Sequence, residues 1–327
     1  MYYPIYMYEI NGFKLRIPVV GSPMFTISNP KLVVNQCKSG IIGSFPALNA
    51  REPETLEDWI KKIKDDLEDY KFNNPDKIVA PYAVNQICHK SNKRLISDME
   101  TCVEQKVPII ITSLRPPDDI IDAAHSYGGI VYHDVISVRH AEKAAEIGVD
   151  GLILVCAGAG GHAGTLSPFA LLREVKEWFK GTILLSGSIG DGNSIASALA
   201  LGADLAYIGS RFIATSEANA DEVYKKMILD SSAKDIVYSS FFSGVHGNYL
   251  RGSIERSGLD PDNLEDGTKN QMTFSNPNKP KTWKDIWGSG QGIGRVSEIT
   301  STKKVVDQLE KELKNAINDL KNRTKDL

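Results

Sequence analysis

Cysteine is scarce in this 327-residue chain. Cys37, Cys88, Cys102 and Cys156 are its four, and no two of them form a C-x-x-C pair. In a chain of this size that pattern excludes a disulfide framework and predicts reduced, buried thiols. Cys156 stands apart because it lies just ahead of His162. Long apolar runs are missing as well. The longest, such as VPIIIT and DGLILVCA, are the size of strands and too short to span a bilayer. No sign of charge dominates: 38 Lys and Arg face 41 Asp and Glu, a formal net charge of −3, which offers nothing to nucleic acid or an anionic membrane. The first residues, MYYPIYMYEINGFKLRIPVV, lack the basic start and unbroken apolar core of a signal peptide. These absences predict a soluble, cytoplasmic protein that acts on small molecules.

What the chain does contain is rhythm. Eight short, near-continuous apolar runs fall at 17–23, 40–45, 77–85, 107–112, 128–135, 148–157, 181–187 and 202–210. Runs of this kind suit strands covered on both faces. Amphipathic stretches lie between them. RHAEKAAEIG ends at a glycine, SPFALLREVKEWFKG opens with a Ser cap followed by Pro, and GNSIASALALGAD also closes on glycine. Alternation of this kind means βαβ units and a parallel sheet. Eight units predict an α/β fold of the closed (β/α)8 TIM-barrel type, with an open doubly wound sheet as the alternative. Residues 1–232 are read as the barrel core. The segment 233–296, rich in Gly, Ser, Asn, Asp and Pro but carrying Phe241, Phe242, Tyr249, Trp283 and Trp287, is too long for a plain connection and is read as an ordered insertion or lid packed on the barrel. Within 297–327, Val306, Leu309, Leu313, Ile317 and Leu320 mark an amphipathic C-terminal helix closing the same domain. Its charged remainder is read as a solvated face, with a homodimer contact as the alternative.

In a parallel barrel, chemistry sits at the C-terminal ends of the strands. The seventh run ends in SGSIGDG and the eighth in YIGSRF. Gly and Ser at two consecutive strand-to-helix turns predict a phosphate site, where backbone N–H groups and a helix N-terminus can hold an anion. After the sixth run comes CAGAGGHAG, in which Gly158, Gly160, Gly161 and Gly164 surround His162. Glycines admit a flat ligand close to the backbone, and the imidazole adds a group that titrates near neutral pH. A loop histidine that merely bonds the backbone would look the same. Asn85 closes the third run, His133 and Asp134 the fifth, and Pro23 and Met24 the first. An amide aimed into the barrel mouth can read a heterocycle edge, though Asn85 is also a common turn residue. His133 is a second candidate for a base or an anion ligand. His133, His162 and Asp134 do not match a metal motif, so no metal is expected.

Together CAGAGGHAG, SGSIGDG, ADLAYIGSRFIAT and the late WKDIWGSGQGIG resemble the nitronate monooxygenases, formerly called 2-nitropropane dioxygenases. The resemblance runs from about residue 17 to 296. It implies FMN as cofactor. It also implies a phosphate held at Gly187, Ser188, Gly209 and Ser210, and a flavin ring bordered by Pro23, Met24, Asn85, His133 and Gly161. Gln291 falls in a loop that covers the flavin, and His162 in the position of the catalytic base. The position of His133 is often a lysine in relatives. The implied reaction is oxidation of alkyl nitronates or nitroalkanes with dioxygen to carbonyl compounds and nitrite. An NAD(P)H-dependent FMN reductase of enoyl thioesters or quinones is the alternative on the same scaffold, and a barrel that binds a phosphorylated metabolite without redox chemistry is a third reading. The insert 243–267 resembles only one branch of the family.

Overall fold

The computed structural model describes residues 7–51, 54–115, 118–265 and 283–326. Residues 1–6 of the N-terminal stretch, 266–282 of the 233–296 segment, and so the last two residues of the 243–267 insert, lie outside the described residues.

The chain begins with a hairpin, β1 (Tyr8–Ile10) and β2 (Phe13–Leu15), paired antiparallel around Asn11 and Gly12. Both turn residues have positive φ, +50° and +78°, as a two-residue hairpin turn of right-handed twist requires. This element is absent from the eight runs above, although Asn-Gly is a strong local hairpin signal. Barrel strands follow: β3 (Val19–Gly21), β4 (Gly43–Pro46), β5 (Tyr82–Cys88), β6 (Ile109–Leu114), β7 (Ile130–Val135) and β8 (Gly151–Val155). A two-residue strand, β9 (Gly161–His162), leaves the barrel before β10 (Thr182–Ser186) and β11 (Leu205–Ile208) complete it. Every one of the eight runs overlaps one barrel strand, and β4, β5 and β6 extend past the ends of theirs. The third begins later than its apolar run because Pro81 has no N–H to give to a ladder.

All eight pair in parallel, in the order β4-β5-β6-β7-β8-β10-β11-β3. The ring closes where Val20 bridges Ile42 in parallel, the N–H of Gly21 donating to Ile42 O at 2.8 Å and that of Ile42 to Val19 O at 3.1 Å. Closure excludes the open sheet. Helices cover the outside, among them Val138–Glu146, Pro168–Trp178 and Gly192–Leu201. Ser167 caps the second through its side chain, and Gly202, at φ +108°, ends the third.

Side chains alternate across each strand, so the barrel has two cores. Val20, Ile42, Ile109, Ile111, Ile153 and Leu184 fill the interior. Val84, Ile110, Val131, Leu152, Leu154 and Ile183 face the helices. The hairpin lies against one end: Asn11 Nδ2 donates to Tyr132 OH (2.8 Å) and Thr182 Oγ1 (3.0 Å), and Tyr8 OH to Asp204 O (2.7 Å), residues near the N-terminal ends of their strands or just ahead of them. The opposite end, where the strands' C-termini lie, is free of this hairpin.

Beyond the barrel, β12 (Ile236–Ser239) and β13 (Gly247–Leu250) form an antiparallel pair, and β13 also pairs with β9. The last helix, Thr302–Arg323, buries Val305, Val306, Leu309 and Leu313. Ile317 and Leu320, which continue the apolar stripe, are exposed. Among the described residues no helix is long and apolar enough to cross a membrane.

Candidate active site

Four loops meet at the C-terminal end of the strands. The N–H groups of Ser188 and Gln291 both donate to Gly158 O, at 3.3 and 2.9 Å, tying the loop after β8 to the loop after β10 and to the late Gly288–Gly292 segment. The N–H of Gly290 donates to Ser210 Oγ at 2.8 Å, which brings in the turn after β11. Such contact is possible only without side chains. A Cβ on Gly158 would lie 2.1 Å from Ser188 Oγ, and one on Gly160 would lie 2.8 Å from Gly290 N. One on Gly190 would lie 2.1 Å from Gly292 O. Gly158 also holds φ at +80°, which other residues reach only with strain. Ser188 accepts such strain, at φ +57°. The turn after β3 completes the rim: a Cβ on Gly209 would fall 2.4 Å from Ser22 Oγ and 3.6 Å from Met24 Sδ.

The helix N-terminus behind the β10 turn is not available to an anion. The helix Gly192–Leu201 is capped by Asp191, and Glu312 of the last helix accepts from Gly192 N–H at 2.9 Å. Two carboxylates already fill that end. That helix end would therefore not hold an anion at this rim.

His162 is placed by the small sheet. β9 pairs with β13 through Gly247↔His162 and Asn248↔Gly161, and Asn248 Nδ2 donates to Ala159 O at 2.6 Å. His162 Nε2 lies 2.8 Å from Ser243 Oγ, and the ring meets Trp283 edge-on at 5.3 Å between centroids. Burial lowers its pKa to about 4, so the imidazole is neutral at pH 7. Gly161 lies against the same indole: a Cβ there would be 3.4 Å from Trp283 Cη2.

The strand ends divide by parity. Asn85 shares the inward side of β5 with Ala83, and Asp134 the inward side of β7 with Tyr132. Asn85 Nδ2 donates to Ser113 Oγ at 2.9 Å, and Ser113 Oγ donates to Asp134 Oδ2 at 2.6 Å. His133, one residue away, turns outward. Its Nδ1 lies 2.8 Å from Thr112 Oγ1, it is 2 % exposed, and burial lowers its pKa to about 4, with His140 of the outer helix adding repulsion. The expectation that His133 borders a ligand is therefore corrected: its side chain belongs to the helix layer. Asp134, a residue the sequence marks only as a polar strand end, is the one that turns inward. Its partner Ser113 was not legible in advance, because nothing in ITSL distinguishes it from any serine closing a strand.

Pro23 and Met24 follow β3 on the rim, and Gln291, itself exposed, lies with its amide against Gly158. Cys156 is fully buried and burial pushes its thiol up to about 12, so it is no nucleophile. Cys37 and Cys102 are likewise buried thiols raised to about 12. Among the described residues no three His, Cys, Asp or Glu side chains assemble as a metal set.

With this geometry in place, comparison with known proteins is decisive on one point. The family model described as nitronate monooxygenase matches residues 8–312. The chain belongs to the nitronate monooxygenase family. Across that family, the nitronate monooxygenase of Paraburkholderia phytofirmans is 24% identical over 355 residues, 93% of this chain and 94% of that one. A probable nitronate monooxygenase of Bacillus subtilis is 25% identical over 339 residues, 91% and 96% of the two chains. Among solved structures, FabK from Thermotoga maritima superposes with a TM-score of 0.74 at 24% identity over 94% of this chain and 96% of its own. The likeness to that structure is one of fold. Membership in the nitronate monooxygenase family brings with it an FMN-binding barrel.

The residues fit that group. The bare backbone of Gly158, Gly160, Gly187 and Gly209 forms a glycine cradle in which the turns close on one another, and a Cβ at any of them would collide with the neighbouring turn. Asp134 Oδ1 is buried without a hydrogen-bond partner, as expected of a group that a ligand satisfies.

Proposed function

We propose that this protein is an FMN-dependent oxidoreductase that oxidises small alkyl nitronates with dioxygen to carbonyl compounds and nitrite. The observation that carries the reading is His162: a neutral imidazole, held by Ser243 and Trp283, beside a cradle of glycines gathered from three barrel strands. Gly187, Ser188, Gly209 and Ser210 would hold the FMN phosphate. Pro23, Met24, Asn85 and Gly161 would border the ring, with Gln291 at its cover. Bound FMN supplies the redox chemistry, taking electrons from the substrate and passing them to oxygen.

The chain's own part is binding and proton handling. His162 accepts the α-proton of a neutral nitroalkane, and faces the nitro oxygens of a substrate that arrives already ionised. Trp283 and the β12–β13 pair exclude water from that side of the mouth. In this reading 1–232 is the barrel core, 233–296 is its lid, and the helix in 297–327 closes the same domain.

A visible spectrum of the purified protein, followed by oxygen uptake with a small nitronate, tests the proposal. A flavin spectrum and nitrite release in step with oxygen uptake are expected. A flavin that bleaches rapidly with anaerobic NADH or NADPH, without oxygen uptake on nitronates, would replace it with a reductase. A colourless protein that takes up no FMN would end it.

A further inference from the structure

The buried carboxyl of Asp134 has no role in the reaction just described. It lies on the inward side of β7, at the same end as the glycine cradle. Its two oxygens differ. Oδ2 accepts from Ser113 Oγ, whose own lone pair accepts from Asn85 Nδ2. With the serine donating its proton to Oδ2, a proton on the carboxyl resides on Oδ1. That oxygen is the one buried without a partner. The other titratable group facing it is Tyr207 of β11, 7 % exposed, whose phenol stays protonated because burial and the Asp134 charge both raise it well above its usual value. His162, across the mouth, is neutral above about pH 5 because burial lowers its pKa to about 4. No cation among these neighbours favours the carboxylate.

We propose that Asp134 meets the flavin as a neutral carboxylic acid, donating its Oδ1 proton to an acceptor on the ring edge, so that FMN affinity falls as this acid ionises. The proposal rests on the FMN reading above. Burial raises the free acid to about 7, against the weaker opposing effect of the Ser113 hydrogen bond. The sign follows from linkage. FMN binds the protonated form, so its dissociation constant is level while the free site is protonated and rises with pH above about 7. A buried neutral acid used as a donor at neutral pH is physically reasonable in an apolar site.

Equilibrium dialysis of the purified holoenzyme between pH 6 and 8.5, with free FMN read by fluorescence, tests this. The FMN phosphate also titrates in this range, so the quantity compared is the ratio of wild type to Asp134→Asn. The amide keeps a donor and cannot ionise. The ratio of dissociation constants, wild type over Asp134→Asn, should rise about thirtyfold from pH 6 to 8.5. Asp134→Leu, which needs no polar partner to fold, should bind FMN more weakly than wild type at pH 6. A ratio that does not change with pH, with FMN bound by both, overturns the proposal and leaves the FMN reading standing. No FMN bound by wild type at any pH overturns the FMN reading, and this proposal with it.

Discussion

His162 Nε2 and Ser243 Oγ lie 2.8 Å apart although 81 positions separate them in the chain. Ser243 Oγ also donates to Val245 O at 3.0 Å. A hydroxyl has one proton and a carbonyl can only accept, so this arrangement makes His162 Nε2–H the donor and leaves the lone pair on Nδ1. Ser243 is thus a positioning residue for the imidazole. Ser243→Ala is expected to lower turnover of neutral nitroalkanes about tenfold, by the worth of one hydrogen bond, while turnover of preformed nitronates changes less. Oxygen-uptake kinetics on both substrates measure it; equal loss on the two would show that Ser243 merely supports the fold.

Burial keeps His162 unprotonated far below its ordinary range. A base acts in its deprotonated form. kcat/KM for a neutral nitroalkane should therefore stay level from pH 8 down to about 5, and fall as pH drops through about 4. His162→Asn should retain FMN and lose about 10²–10⁴-fold on neutral nitroalkanes, with a smaller loss on nitronates. An acid limb near the ordinary histidine value would place the working imidazole in contact with water.

Gly209 leaves no room for a side chain beside Ser22 and Met24. Gly209→Asp adds both bulk and a negative charge where a phosphate would sit. FMN content after purification, read from absorbance, should drop severely. Full flavin content would remove this turn from the site.

Asp134 also links stability to pH. In the unfolded chain it ionises near 3.8, whereas burial holds it protonated to about 7 in the fold. Its contribution is therefore complete below the unfolded value and is lost as pH rises through the folded one. The FMN-free Asp134→Asn protein should melt above wild type at pH 8, and the gap should close towards pH 4. Thermal melts at the two pH values read this directly; a gap independent of pH would mean Asp134 is ionised throughout.

Much of this site was visible in the order of residues. Local glycine content marked the loops after β8, β10 and β11, because a backbone that must approach another backbone can carry no Cβ there. Gly158 and Gly160 are such positions. The partners of those loops were not visible. Nothing near His162 in sequence points to Ser243, Asn248 or Trp283, which arrive from the segment beyond the barrel. Nor does GDG in the β10 turn reveal that Glu312, from the last helix, fills the helix end that an anion might have used.

By itself, then, the chain's sequence determined the eightfold alternation, the parallel sheet and the strand ends where chemistry gathers, since apolar runs, caps and glycine stops are local signals. Tertiary structure alone decided which side chains enter the mouth. His133 and Asp134 close the same run and the sequence favoured His133, yet strand pairing turns the imidazole out to the helices and the carboxyl in to the barrel. The physical reason is the two-residue period of a β-strand: a shift of one position exchanges inside for outside, and only the closed ring says which is which.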